Sequence, residues 1–398
     1  MKTCDIIGIT DSHRQWFPPE VMDAIRSGSV FSGGKRHHEI MAPWLSEDTI
    51  WIDITVPLER VFKEYERYDH IVIFASGDPL FFGFANTVQR ECKEARIRVF
   101  PAPNSLQMLA HKMCIAYHDM HVVSLTGRPW DKLDEALIRG EQMIGCLTDR
   151  VKTPHAIYQR LTAYGYTNYL MTVGENLGNE EKERVSAYSE QAVYGYPNCI
   201  ILQKTGERMR PFGIPDADFA LLDGREKMIT KMPIRLLTLQ TLDLPRRHVL
   251  WDIGFCTGSV SIEARLQFPH LHVVAFEVRP ECEAIIRENA RRHGTPGIEV
   301  YMGDFLCADV ATLPKPDAVF IGGHGGRLKE IMAKVLTVFT DDGCIVMNSV
   351  KAPKVTTDSH RLWDEACQEL GLQQEPPLHI QIDEHHPITI LKGKKIKR

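Results

Sequence analysis

Three carboxylates stand where they could do recognition chemistry. Asp252 lies two residues before Gly254, Glu277 follows Gly258 by 19 positions, and Asp304 comes directly after Gly303. Each closes a β-rich apolar run, which predicts a side chain at the carboxyl end of a strand. The Trp251-Asp-Ile-Gly-Phe-Cys-Thr-Gly258 turn then lets the backbone bend tightly, and its amides approach a ligand before Ser259 to Arg265 continues as a helix. In that order, a carboxylate after the second strand can accept both hydroxyls of a ribose, and one after the third can approach an adenine amine. The chemistry implied is capture of a nucleoside cofactor.

A different turn occupies the first half. Ala75-Ser76-Gly77-Asp78-Pro79 and the Leu-Phe-Phe-Gly that follows it end another apolar run. Aspartate and proline behind a glycine make a sharp strand-to-helix loop, with backbone amides exposed beside a carboxylate. Two unlike floors of this kind predict two active sites. Metal chemistry is not expected. The ten cysteines include no C-x-x-C pair, and the adjacent histidines of His37-His38 and His385-His386 point in different directions in helix and strand alike. The six tryptophans are scattered, as core residues are.

The elements that must hold these turns can be read from periodicity. In the first half, strand-like runs at Cys4–Thr10, Thr49–Thr55, His70–Ala75, Ile97–Phe100, His121–Leu125, Met143–Leu147, Tyr169–Val173 and Cys199–Gln203 alternate with helical patterns. Periodicity lapses from Lys204 to Pro215, which places a linker there and predicts domains at 1–205 and 206–398. In the second half, Val249–Ile253, Val273–Phe276, Ile298–Tyr301, Ala318–Ile321 and Cys344–Met347 are each followed by a helical pattern, and Leu378–Ile382 with Pro387–Leu391 close the chain. That order predicts a doubly wound parallel sheet ending in an antiparallel hairpin.

Composition sets further bounds. A chain of 398 residues with 43% hydrophobic side chains is expected to form more than one core. Net charge is −5, and neither half has the basic excess of a nucleic-acid binder. No run reaches the roughly 18 apolar residues of a membrane helix, and Met1–Thr10 lacks a signal pattern, so a soluble cytoplasmic protein with reduced cysteines is expected. The basic tail of Lys392, Lys394, Lys395, Lys397 and Arg398 is read as a solvated terminus.

In the second half, the glycine turn, strand-end carboxylate and Gly-Asp together resemble the class I S-adenosylmethionine-dependent methyltransferases. NAD binding uses the same turn and carboxylate and stays open as a rival, although Cys256 at the middle-glycine position and the terminal hairpin favour methyl transfer. Gly213-Ile-Pro-Asp-Ala-Asp-Phe, Met228-Ile-Thr-Lys and Phe320-Ile-Gly-Gly-His-Gly-Gly resemble the methyltransferase and decarboxylase of the corrin pathway. That resemblance implies that Thr230, Asp252, Gly254, Phe255, Cys256, Thr257, Gly258, Glu277, Asp304 and Phe305 surround the cofactor. Gly322, Gly323, Gly325 and Gly326 would then face a tetrapyrrole. His324, where the family has a small residue, is either a proton donor or a loop side chain bonded locally.

In the first half, Phe31-Ser-Gly-Gly-Lys-Arg-His, the Gly77-Asp78-Pro79 turn, Pro101-Ala-Pro-Asn-Ser, Val123-Ser-Leu-Thr-Gly-Arg-Pro and Gly174-Glu-Asn-Leu-Gly resemble the class III tetrapyrrole methyltransferases. These have two α/β lobes with S-adenosylmethionine folded between them. Ser76, Gly77, Asp78, Phe82 and Ser105 match cofactor positions. Gly8-Ile-Thr-Asp-Ser departs from the family by lacking a second glycine. Lys35, Arg36 and His37 are either contacts for the acid groups of a macrocycle or a solvated helix start.

Together the resemblances imply methylation of two bridging carbons, 5 and 15, of reduced precorrin-6, with loss of carbon dioxide from the ring C acetate. One S-adenosylmethionine per domain and a homo-oligomer are expected. A methyltransferase of another substrate, and a regulatory protein that binds S-adenosylmethionine without catalysis, are the alternatives.

Overall fold

The computed structural model describes residues 2–350, 359–381 and 387–395, and the chain packs as two compact units. The first comprises residues 1–129, 141–159 and 168–206, and the second 130–140, 160–167 and 207–398. The two short segments thus precede the Gly206–Glu207 crossing in sequence yet pack with the second unit. Arg160 grips Asp134 through Nε and Nη2, both at 2.6 Å, which ties the two segments to each other, and the Tyr166 hydroxyl donates to the Gly294 carbonyl at 2.7 Å, which ties them to the rest of that unit.

The first unit contains two five-stranded sheets. One is wholly parallel and is built from β1 (Thr3–Ile9), β2 (Val30–Gly33), β3 (Ile50–Asp53), β4 (His70–Ser76) and β5 (Arg96–Phe100), in the order β3-β2-β4-β1-β5. Its central strands read Cys-Asp-Ile-Ile and Ile-Val-Ile-Phe because apolar clusters cover both faces, one around Ile6, Ile71 and Ile73, the other around Ile7, Phe31 and Phe74. The other sheet is mixed. It takes β6 (His121–Ser124), β7 (Met143–Leu147), β8 (Tyr169–Glu175), β9 (Arg184–Ala187) and β10 (Asn198–Lys204) in the order β6-β7-β10-β8-β9, with only β6 and β7 parallel.

The second unit is one sheet, β13-β12-β11-β14-β15-β18-β16, formed by β11 (Val249–Ile253), β12 (His272–Glu277), β13 (Ile298–Met302), β14 (Ala318–Ile321), β15 (Cys344–Val350), β16 (Leu372–Gln374), β17 (Leu378–Ile380) and β18 (Ile388–Lys395). It is parallel through β15. There it reverses, since β18 pairs antiparallel with β15, β16 and β17. This is the α/β doubly wound fold with an antiparallel end. The order turns back between β11 and β14, the place where such sheets open a crevice at their carboxyl edge.

Several expectations need correction. β2, β9 and β16 were not foreseen, and no α-helix follows β13; two short 3-10 turns, Phe305–Cys307 and Val310–Thr312, make that connection. Ile382, the His385-His386 pair, Lys397 and Arg398 lie outside the described residues. Among the described residues no helix is long and apolar enough to cross a membrane, and no cluster of three His, Cys, Asp or Glu could hold a metal ion.

Candidate active sites

The first unit holds a cavity of about 720 Å³. Ser76, Gly77, Phe82 and Ser105 line it, together with Lys35, Arg36 and His37. Gly77 forms the turn at φ +59°, and a Cβ there would stand 2.9 Å from Asn104 Cα. Gly8 serves this turn as well, because a Cβ on it would come within 1.9 Å of the Gly77 carbonyl oxygen. Phe82 holds φ +55° without being glycine, a conformation that costs about 1 kcal/mol or more and clusters at functional sites. The Arg128 guanidinium lies over its ring at 5.4 Å. Asp78 does not line the cavity; its Oδ1 accepts from the Leu80 amide at 2.9 Å and pins its own turn.

Of the three cationic candidates, two are committed to other groups. Arg36 Nε pairs with Asp11 at 3.2 Å, and its Nη2 donates to Ser76 Oγ at 2.9 Å. His37 is half-buried and accepts from the Gly34 amide at Nδ1. Burial, then the Arg36 charge, push its pKa down to about 4, so it is neutral at pH 7. Of the two readings for these three residues, the structure sets all of them in the cavity lining, with Arg36 and His37 also bonded to protein groups. Arg150, stacked 4.7 Å over the Tyr196 ring, also lines the cavity and had no signal in the sequence. Its place comes from the second sheet, whose β7 and β10 bring the two loops together.

The second unit holds a cavity of about 630 Å³, at the carboxyl edge of β11, β14 and β15. Thr230, Asp252, Gly254, Phe255, Cys256, Thr257, Gly322 and Gly323 line it. Gly254 (φ +79°) is required by the close approach of Gly323, whose amide nitrogen a Cβ would meet at 2.7 Å. Gly258 lies just outside, where a Cβ would strike Ile286 Cγ1 at 2.4 Å, so it seats the helix Ser259–Gln267 against the helix Glu281–His293. Cys256 keeps the turn at φ +51° with a buried side chain.

Asp252 is fully buried. Its Oδ2 accepts from the Ser261 hydroxyl at 2.6 Å and from the Ser261 amide at 3.2 Å, while Oδ1 has no hydrogen-bond partner. Burial pushes its pKa up to about 7. A buried carboxylate oxygen left without a donor at a cavity wall suits a cationic group, and a cavity of this size suits a nucleoside. These residues fit S-adenosylmethionine, which carries both.

Other expected contacts stand back from the cavity. Glu277 is saturated: Cys256, Val278 and Arg279 donate to it from their backbones at 3.0, 2.8 and 3.0 Å, and the Arg279 side chain from Nε and Nη2 at 3.0 and 2.7 Å. Burial raises its pKa, but those donors and the Arg279 charge outweigh burial and hold the group ionised below its usual range. Asp304 accepts from the Leu306 amide at 2.9 Å and from Arg327 at 3.0 Å. Phe305 belongs to the core, edge-on to Trp251 and Phe276. His324 accepts from the Gly326 amide at 3.1 Å and lies 3.3 Å from Ser359 Oγ, the locally bonded arrangement; Gly325 and Gly326 turn with it at positive φ. Lys227, Arg279 and Asn348 line the cavity and were not foreseen, since nothing in their local sequence marks them.

The family profile described as tetrapyrrole (corrin/porphyrin) methylases matches residues 2–192, and that of a precorrin methyltransferase domain matches residues 223–393. A Sinorhizobium protein named precorrin-6Y C(5,15)-methyltransferase [decarboxylating] is 33% identical over 354 residues, 87% of this chain and 84% of the relative. Two Salmonella typhimurium proteins match parts of the chain. One, named cobalt-precorrin-6B C(15)-methyltransferase (decarboxylating), is 38% identical over 33% of this chain and 68% of its own length. The other, named cobalt-precorrin-7 C(5)-methyltransferase, is 28% identical over 44% of this chain and 86% of its own.

Proposed function

Because the chain belongs to the precorrin-6Y C(5,15)-methyltransferase (decarboxylating) family, we propose that it methylates two bridging carbons of a reduced precorrin-6 macrocycle and removes carbon dioxide from its ring C acetate, in cobalamin biosynthesis. The family is one of decarboxylating C-methyltransferases, so the hydride-transfer and non-catalytic alternatives fall away. One observation carries the finer reading: each unit has its own cavity, about 720 and 630 Å³, floored by its own glycine turn. Each accordingly takes one S-adenosylmethionine.

The division of labour follows from the partial relatives. The name that pairs carbon 15 with decarboxylation and the name confined to carbon 5 belong to separate proteins, so the two activities are separable. The second unit resembles the methyltransferase and decarboxylase of the corrin pathway, which gives it carbon 15 and the acetate, and leaves carbon 5 to the first unit.

The cofactor supplies an activated methyl group on a sulfonium. The protein's part is to hold a carbon nucleophile in line and exclude water. In the second cavity, Ile234, Phe320, Val350, Ile380 and Ile388 provide an apolar wall, and Asp252 is the one acid among the described lining residues. An apolar wall, closed over by bound substrate, disfavours the localised charge of an acetate carboxylate. Its carbon–carbon bond breaks with the electron pair passing into the conjugated macrocycle, where the charge is spread. We further propose a homo-oligomer working in the cytoplasm.

Mass spectrometry of the product tests this. The intact chain with S-adenosylmethionine and reduced precorrin-6 should yield two added methyl groups and one lost carbon dioxide. Replacing Gly77 by Val should abolish one methylation while decarboxylation persists; failure of decarboxylation together with that methylation would contradict the assignment.

A further inference from the structure

Ser76 ends β4 at the mouth of the Gly77 turn and faces the first cavity. A serine oxygen has two lone pairs and one proton. Both lone pairs are engaged, by Arg36 Nη2 at 2.9 Å and by His37 Nε2 at 2.9 Å. The direction of the second bond is fixed from the far side of the ring. Gly34 N–H donates to Nδ1 at 3.2 Å, so in the neutral imidazole the proton sits on Nε2, which shares it between Ser76 Oγ and the Phe74 carbonyl. Arg36 is anchored in turn by Asp11 at 3.2 Å. What remains on Ser76 is its own O–H, for which the described residues provide no acceptor.

Charge around this donor favours one class of acceptor. The described lining of the cavity carries Lys35, Arg36 and Arg150 against a single acid, Asp11, and that acid is engaged by Arg36. We propose that Ser76 presents its hydroxyl proton to a carboxylate of the bound ligand, with Arg36 and His37 as its positioning residues. The proposal rests on this cavity being a methyltransferase site. Carboxylates have two sources there: the methionine end of the cofactor and the acid side chains of the tetrapyrrole.

The full-length chain distinguishes them by calorimetry with two probes, S-adenosylhomocysteine and 5′-methylthioadenosine, which lacks the amino-acid end, alongside KM for the macrocycle. A hydrogen bond to a charged group predicts a loss of about tenfold in Ser76→Ala. If the cofactor supplies the carboxylate, one of the two S-adenosylhomocysteine sites weakens by that factor and 5′-methylthioadenosine is unaffected. If the macrocycle supplies it, both nucleosides bind as before and KM rises about tenfold. In either case Ser76→Thr restores the value, and His37→Ala weakens binding on its own but adds nothing to Ser76→Ala, as expected of a residue acting through another.

Two equivalents of S-adenosylhomocysteine with no change in affinity or KM in Ser76→Ala would overturn the proposal alone. Equal losses for both nucleosides would do the same. A single equivalent in the unsubstituted chain would overturn the two-site reading, and the proposal with it.

Discussion

Asp252 and Gly323 face the second cavity with opposite liabilities, and each gives a prediction at the scale of one side chain. The Asp252 carboxyl has a pKa of about 7 in the folded chain, raised by burial, against roughly 3.9 when unfolded. The native state therefore holds that proton more tightly. Its contribution to stability is fully present below the unfolded value and is lost as pH rises through 7. Asp252→Asn removes the titration, so without added cofactor its unfolding temperature should gain on the parent's between pH 5 and pH 8. Parallel curves would contradict the burial account. Gly323 has no neighbour within 4 Å of where its Cβ would go. Gly323→Val should fold with an unfolding temperature close to the parent's, yet lose decarboxylation by about tenfold or more because the side chain fills the cavity. Retained activity would place the substrate elsewhere.

At the scale of elements, the glycine turns are as much joints as binding floors. Gly258, at φ +73° with Ile286 2.4 Å from its missing Cβ, fixes how closely two helices pack. Gly258→Ala should cost about 1–3 kcal/mol in denaturant unfolding, strain and clash together. A neutral result would mean that the helices can part. The same elements show what sequence patterning reveals. β7, β11 and β14 are legible to the residue because β-branched and apolar runs end at turn residues. β2 is four residues, Val-Phe-Ser-Gly, too short for a period. β9, Arg-Val-Ser-Ala, is an edge strand with little apolar burial. The connection after β13 lacks an α-helix because Asp304 and Asp309 cap separate short turns. Within the sites, the turn residues were legible because glycine at positive φ leaves a trace in sequence. Arg150, Lys227, Arg279 and Asn348 were not, since strand pairing and loop closure bring them to the cavities. Nor could the saturation of Glu277 or the commitment of Arg36 and His37 be read, because both depend on contacts made only on folding.

At the scale of the whole molecule, one polypeptide carries two proposed cofactor sites, one in each cavity. The class I and class III resemblances carry an expectation of self-association, so sedimentation should give a multiple of the 45.3 kDa chain; a monomer would contradict it. The most direct test of the central claim is the calorimetric stoichiometry of S-adenosylmethionine with the intact chain at saturation. Two equivalents per polypeptide, falling to one in Gly77→Val, are predicted. A stoichiometry of one or zero in the unsubstituted chain would contradict it.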